Sequence, residues 1–506
     1  MKFFLSNSIV SLVLLFSVAC STSKNVALPI SSDSNEAIEL YKEAWYYWDQ
    51  NEGLKGWRLM EEALALDPDF ILANLYMPSN DPNLWQAYRD KAEANSINGN
   101  DYEKMAVKMW KASREGRSMD YINLCKELVS KYPNSADAYV ILGDAYTGIN
   151  DFDNAIANYR KALDLNPKNY QAWNGLALHH VTVGNNTMLP KEKQSKELAL
   201  QYANGLVKSR PNAPYSYQIK GNIERQHNDM EAARGHYQQM VEVAEKTQAT
   251  SLGAGYNLIA HTYLFSDAYV QARENYQKAA SISPNKYSKI SYGEFGVWSY
   301  LFERDYEGAV RAATELDRQV DAEDFSANEV LGYKAANQFT TFIAHAHNKN
   351  KQDAYNAMRA NFRLREKSLS LNTKKDDISI RNYNTFNAWI ESWYHVLFND
   401  TENAQMTLEK LYALVKDMQN PDALDGYNAL SGMLSLSSGD TEKAVSHFDG
   451  IEKENNVYYA YFKGLALEKA GKKNDAQKIF KFLSNWNFQG WESALIRGLA
   501  QDKVSG

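Results

Sequence analysis

Between Ala136 and Asn169 the apolar residues fall into two helical stripes. Tyr139, Leu142, Gly143 and Tyr146 recur at three- and four-residue intervals, which places them on one helix face. A polar turn, Gly148-Ile149-Asn150-Asp151, follows and supplies an N-cap for the next helix. Ala155, Ile156, Tyr159, Ala162 and Leu163 then form a second apolar face. Pro167 ends that helix, because it has no backbone donor and restricts the residue before it. Gly143, Ala155 and Ala162 are small where the two helices must cross closely. The stretch predicts a helix–turn–helix unit.

The same grammar returns along the chain. It is clear at 253–286 through Tyr256, Ala260, Tyr263, Ala272, Tyr276, Ala279 and Pro284, and at 214–247 through Gly221, Ala233 and Tyr237. Looser copies stand at 425–456 (Gly432, Ala444, Phe448) and 457–488 (Gly464, Ala476, Phe480). Partial copies surround Ala309, Ala354 and Ala404, while 37–70 ends in Asp67-Pro68 and 102–135 in Tyr132-Pro133. The unit beginning near Tyr170 carries an insertion around Asn185 to Lys193. In all, roughly a dozen helix pairs are expected. At nearly every signature position of 136–169 this unit resembles the tetratricopeptide repeat. The resemblance implies an all-α fold, a tetratricopeptide-repeat α-solenoid: a right-handed superhelix of antiparallel helix pairs with a concave groove. No pair can bury its own apolar face, so each must stack on its neighbours.

The pattern divides the chain into a central array over 36–365, a weak stretch at 366–382 and a C-terminal array over 383–503. The weak stretch, with Lys374-Lys375-Asp376-Asp377, reads as a hinge between sub-arrays or as a long inter-helix loop. At the start, Lys2 precedes a short apolar run that ends in Ser17-Val18-Ala19-Cys20. A positive residue, a short apolar core and small residues at the exit describe a secretory signal peptide over 1–19. The run is too short for a spanning helix. Small residues directly before a cysteine resemble the bacterial lipoprotein box, although Ser17 stands where that family prefers Leu. The resemblance implies cleavage before Cys20 and acylation of its thiol, with an ordinary signal peptidase site after Ala19 as the alternative. Five serines between Ser21 and Asn35 read as a flexible tether, so 20–35 is expected to link anchor to array. The expected address is the cell envelope, at the periplasmic face of an outer membrane.

Composition narrows the function. Lys and Arg number 55 against 62 Asp and Glu, giving −7, so no electrostatic pull toward nucleic acid is expected. Two cysteines exclude a disulfide scaffold and a Cys-based zinc cage. Cys125 lies at a core position of its helical pattern and reads as inert packing. The chain has none of the common metalloprotease, phosphate-loop, nucleophile-elbow or dinucleotide motifs. Adjacent His179 and His180 point about 100° apart on a helix, which suits joint ligation poorly. Glu224-x-x-His227 is half of a di-iron carboxylate signature without its second half. Neither an enzyme activity nor a cofactor is expected.

The groove is the better prospect. In tetratricopeptide proteins the first helix of each repeat lines the concave face. In that frame the groove residues are Asn174, Gln218, Asn222, Arg225, Asn257 and His261. Amides both donate and accept, so a row of them can bond the backbone of an extended peptide. Trp45, Trp110, Trp298 and Trp393 share one repeat position, with Trp48 and Trp389 at neighbouring groove positions. Flat rings there can stack on apolar side chains or sugar rings. Either set can instead be solvated or packed between helices. The reading is a membrane-anchored, non-enzymatic scaffold that binds an envelope protein or an extended peptide. The alternative is a glycan-capture lipoprotein, similar in size, lipidation and helical repeats to the outer-membrane glycan-binding lipoproteins of polysaccharide-utilisation systems.

Overall fold

The computed structural model describes residues 25–183, 186–187, 189–372, 377–418, 420–452 and 456–505. The signal segment and Cys20 lie outside the described residues. The first four helix pairs are α1 (Asn35–Trp48) with α2 (Gly53–Leu66), α3 (Ile71–Tyr76) with α4 (Pro82–Asn95), α5 (Asp101–Arg114) with α6 (Ser118–Lys131), and α7 (Ala136–Thr147) with α8 (Phe152–Leu165). Next come α9 (Tyr170–His179) with α10 (Lys196–Ser209), α11 (Pro214–Gln226) with α12 (Met230–Thr247), α13 (Leu252–Leu264) with α14 (Tyr269–Ile282), and α15 (Lys286–Phe302) with α16 (Tyr306–Ala322). The last pairs are α17 (Ala327–His347) with α18 (Lys351–Leu371), α19 (Asp377–Leu397) with α20 (Thr401–Val415), α21 (Asp425–Ser437) with α22 (Thr441–Asp449), and α23 (Val457–Lys469) with α24 (Lys473–Ser484). A single helix, α25 (Trp491–Ser505), follows. The insertion between α9 and α10 holds a two-residue antiparallel pair, β1 (Thr182–Val183) with β2 (Asn186–Thr187).

One turn geometry recurs. In ten of the twelve pairs the turn between the two helices holds one residue in the left-handed region: Asn51, Gly116, Asn150, Asn228, Asp267, Arg304, Lys349, Asn399, Gly439 and Gly471. The residue after it often caps the second helix. Asp151, Asp229, Asp305, Asn350 and Asp440 each accept a backbone N–H three residues on. A left-handed residue reverses the chain, and the cap then satisfies an otherwise orphaned donor of the new helix.

Close helix crossing explains the small residues. A Cβ on Gly143 would stand 2.8 Å from the Tyr159 ring, and one on Gly464 would stand 2.7 Å from Phe480. Most buried apolar residues between Ala260 and Ala500 form one continuous cluster, and most of those between Leu28 and Ala145 form another. Layers between stacked pairs thus replace a single central core. Cys125 is fully buried and burial pushes its thiol up to about 12, which fits inert packing.

Two expectations are corrected. The segment read as a tether is docked from residue 25 onward. Val26 N donates to Asn134 O at 2.9 Å, Ala136 N donates to Asn25 Oδ1 at 2.9 Å, and Asn100 donates to Pro29 O at 3.2 Å. Ser31 gives its N–H and its hydroxyl to Glu103, at 2.7 and 2.6 Å, and Ser32 bonds Asp67. Ser31 and Ser32 are therefore donors to buried carboxylates, and Ser34 caps α1 by accepting from Ala37 N. The weak stretch at 366–382 is mostly helix, because α18 runs to Leu371 and α19 starts at Asp377. Glu366, Lys367, Asp377 and Arg381 therefore belong to the ends of two long helices, while Lys374, Lys375 and Asp376 lie outside the described residues.

Candidate functional site

Both ends of the array fold back onto its middle. At the α1–α2 turn, Asp49 accepts from Gln171 at 2.7 Å and pairs with Arg210 at 3.1 Å. Glu52 in the same turn accepts both backbone N–H groups and both hydroxyls of Thr250 and Ser251. Trp57 stacks on Tyr287, 5.6 Å between centroids and 7° from parallel. These partners stand at or just before the starts of α9, α11, α13 and α15. At the opposite ends of α11, α13 and α15 the C-terminal helices take over. Asn487 donates to Arg225 O and to Asn228, Arg497 donates to Asp267 at 2.7 Å and to Phe265 O at 3.1 Å, and Arg304 pairs with Asp502 at 2.8 Å. Helix α13 is the plainest case. It receives a carboxylate at its positive start and a guanidinium at its negative end, each where the helix dipole favours it.

Between these clasps lie the residues that the sequence placed in the groove. Asn174 on α9 and Gln218 on α11 are half-buried, and the side-chain oxygen of each is shielded and unpartnered. Asn257 on α13 is buried and its oxygen is likewise unpartnered. The other three are held inside. Asn222 accepts from the Tyr237 hydroxyl at 2.8 Å. His261 bonds the Tyr276 hydroxyl at 2.6 Å and Asn257 at 3.3 Å. Burial, and then the charge of Arg225, hold the His261 imidazole well below its usual range, so it is neutral. Arg225 is 3% exposed, and its guanidinium lies 4.9 Å from the Phe488 ring centre. The central repeats thus bring the six residues onto three consecutive first helices, but not as a freely solvated row. Asn222, Arg225, Asn257 and His261 lie at buried positions, because the hydroxyls of the second helices and the C-terminal segment cover them.

The tryptophans divide differently. Trp45 and Trp48 pack with Tyr41 and Tyr76 beneath the first pair, and Trp110 lies against Trp85. Trp298 is half-buried beside Phe295, its indole N–H shielded and unpartnered. Trp389 donates to the Tyr459 hydroxyl at 3.0 Å, and Trp393 donates to that of Tyr458 at 3.2 Å. Trp393 is 1% exposed among Trp389, Trp491 and Phe342, so it is corrected from a groove residue to a core residue. It is larger than a crossing of two helices needs because four helices, α17, α19, α23 and α25, meet around it.

Sequence reasoning missed Glu52, Asn487 and Arg497, for which no local pattern signals a partner some two hundred residues away. It also missed Glu294 on α15, one turn before Trp298. This carboxyl is half-buried, and burial raises it to about 7. Its folded value lies above its unfolded one, so the fold favours the protonated form. The penalty is absent in acid, grows between about 4.5 and 7, and is complete above that. Glu294→Gln is expected to raise stability by about 2 kcal/mol near pH 8 and by nothing near pH 4. Melting curves at the two pH values check this, and an equal gain at both contradicts it.

A model described as "Tetratricopeptide repeat" matches residues 136–169 and 254–286. No curated protein matches the chain. Among solved structures, the chain is similar to a MamA RS-1 ArsTM double mutant at 17% identity and TM-score 0.28, covering 36% of this chain and 95% of that one. It is similar to a tetratricopeptide repeat protein from Parabacteroides merdae at 11% identity and TM-score 0.32, covering 60% and 99%. The apo form of RapI aligns at 10% identity and TM-score 0.41, covering 93% and 98%. The two matched stretches span α7–α8 and α13–α14, and the fold is an all-α solenoid of tetratricopeptide-type helix pairs.

Proposed function

We propose that the protein is a non-enzymatic, lipid-anchored scaffold of the bacterial envelope. It holds an extended segment of a partner protein against the first helices of its central pairs. The observation that carries this reading is the set of shielded, unpartnered polar atoms on Asn174, Gln218, Arg225 and Asn257. Each such atom costs about 1–3 kcal/mol if nothing ever meets it. Three consecutive first helices share them, and the alternating donors and acceptors of a peptide backbone would satisfy them. Cys20 supplies the anchor, and Asn25, five residues later, is already docked at the start of α7. Five extended residues reach about 17 Å, so an acylated Cys20 would keep that edge of the array close to the bilayer.

The test is retention of envelope proteins from the source cell on the immobilised protein and on an Asn174→Ala/Gln218→Ala variant. The expected result is a protein retained by the parent and lost by the variant, with the melting temperature of the variant undiminished. Equal retention by both contradicts the reading. For the anchor, Cys20→Ala is expected to move the protein from the membrane fraction to the soluble fraction, and an unchanged distribution contradicts it.

A further inference from the structure

Among the described residues, Arg225 is the most deeply buried arginine. Its side chain is buried, its Nε and one terminal nitrogen have no hydrogen-bond partner, and among the described residues no carboxylate lies within ion-pair distance. The other buried arginines differ: Arg497 reaches Asp267 and a backbone carbonyl, while Arg89 has no carboxylate but donates to Met77 O and lies 4.6 Å from the Trp85 ring centre. Around Arg225 stand the neutral imidazole of His261 and the hydroxyls of Tyr237 and Tyr276, all of which feel its charge. The neighbouring Glu224 is engaged by Lys196 at 2.6 Å. What covers the guanidinium is one aromatic ring, Phe488, on the six-residue connection between α24 and α25. A ring face attracts a cation only weakly by comparison with a carboxylate. That connection is itself unfinished, because Gln489 Oε1 is also shielded and unpartnered.

We propose that Arg225 is the anchor of an anion site that takes a single carboxylate group, and that Phe488 covers this site in the free protein. One fixed positive charge with neutral neighbours calls for one negative charge, which favours a carboxylate over a doubly charged phosphate. A planar two-oxygen anion also matches the donor fork of a guanidinium. To enter, the carboxylate displaces the Phe488 ring and takes up the terminal edge of the guanidinium, Nη1 with Nη2, of which Nη1 has no partner in the free protein. The carboxylate comes either from the extended partner segment, in which case the inference rests on the scaffold reading above, or from a small free acid.

The experiment compares the purified protein with Arg225→Met and Phe488→Ala. Melting temperatures are measured in acetate, phosphate and chloride at equal ionic strength. Acetate is expected to raise the melting temperature of the parent more than phosphate or chloride does, to raise that of Phe488→Ala further, and to leave Arg225→Met unmoved. In chloride, Arg225→Met should be at least as stable as the parent, since an uncompensated buried charge has been removed. Equal loss of stability by Arg225→Met in every salt overturns the proposal and makes Arg225 a packing residue. Should that variant fail to fold, Phe488→Ala decides, because it keeps the cation and uncovers it. An acetate response no larger than that of the parent then overturns the site.

A pool of random-sequence peptides, in free-acid and amidated forms, separates the two sources. Capture of the free-acid pool, weakened roughly thirtyfold by amidation or by Arg225→Met, assigns the carboxylate to the partner segment. Capture of both forms equally by the parent and Arg225→Met keeps the groove and overturns the anchor. An acetate response that requires Arg225, with neither pool captured, supports the site for a free acid and removes the scaffold reading instead.

Discussion

Glu52→Ala is expected to release the N-terminal pairs from the middle of the array. Glu52 is 3% exposed and accepts four hydrogen bonds, among them Thr250 N at 2.5 Å, Thr250 Oγ1 at 2.7 Å and Ser251 N at 3.1 Å. Truncation leaves these donors at the start of α13 without their carboxylate, those of Ser251 at a buried position. Charge-assisted bonds and the donors left behind together place the cost at about 3–5 kcal/mol. In a solenoid such a loss does not spread evenly, because each pair contacts chiefly its neighbours. The expected record is an added early melting transition and a larger radius of gyration by small-angle scattering, while the C-terminal cluster still melts as in the parent. Glu39→Ala is the control. Its partner Lys42 is an exposed neighbour on the same helix at 2.7 Å, and such a pair contributes about 0.5 kcal/mol or less. Scattering and melting curves for Glu52→Ala that superimpose on those of the parent would remove Glu52 from the closure.

The contrast between these two glutamates shows what could be read in the sequence. Repeat length, turn placement and crossing positions are local properties, carried by spacings such as Gly143 with Tyr159 or Asp151 after Asn150. They were legible because most pairs state them again. Closure is not local. Glu52 and Arg497 bond turns some two hundred residues away, and nothing near either residue distinguishes them from surface charges. The burial of the groove residues was hidden for the same reason. Its frame put Asn222, Asn257 and His261 correctly on first helices, but not the cover that Tyr237, Tyr276 and Phe488 supply. The docking of 25–34 was hidden by composition, because serine marks both a linker and a donor to buried acids such as Glu103 and Asp67.

Trp393→Ala is expected to have the largest effect on stability of any change to the aromatic set. The indole comes from α19, and its ring centre lies 5.2 Å from Tyr458 on α23, 5.3 Å from Trp491 on α25 and 5.6 Å from Phe342 on α17. Its N–H also donates to the Tyr458 hydroxyl. One side chain therefore joins four helices, and α25 is the helix that carries Arg497 to the end of α13. A cavity of this size costs about 3–5 kcal/mol where the walls cannot collapse. Trp393→Phe should recover most of that, since it refills the space and loses chiefly one hydrogen bond. A stacking platform for a ligand predicts the opposite: Trp393→Ala would then weaken binding and leave melting alone. Trp110, half-buried at the outer stretch of the array, gives the comparison, and Trp110→Ala should cost much less. Chemical and thermal melts of the three variants decide the matter. A Trp393→Ala protein that melts with the parent would return this ring to the groove, and with it the face on which a sugar or an apolar side chain could stack.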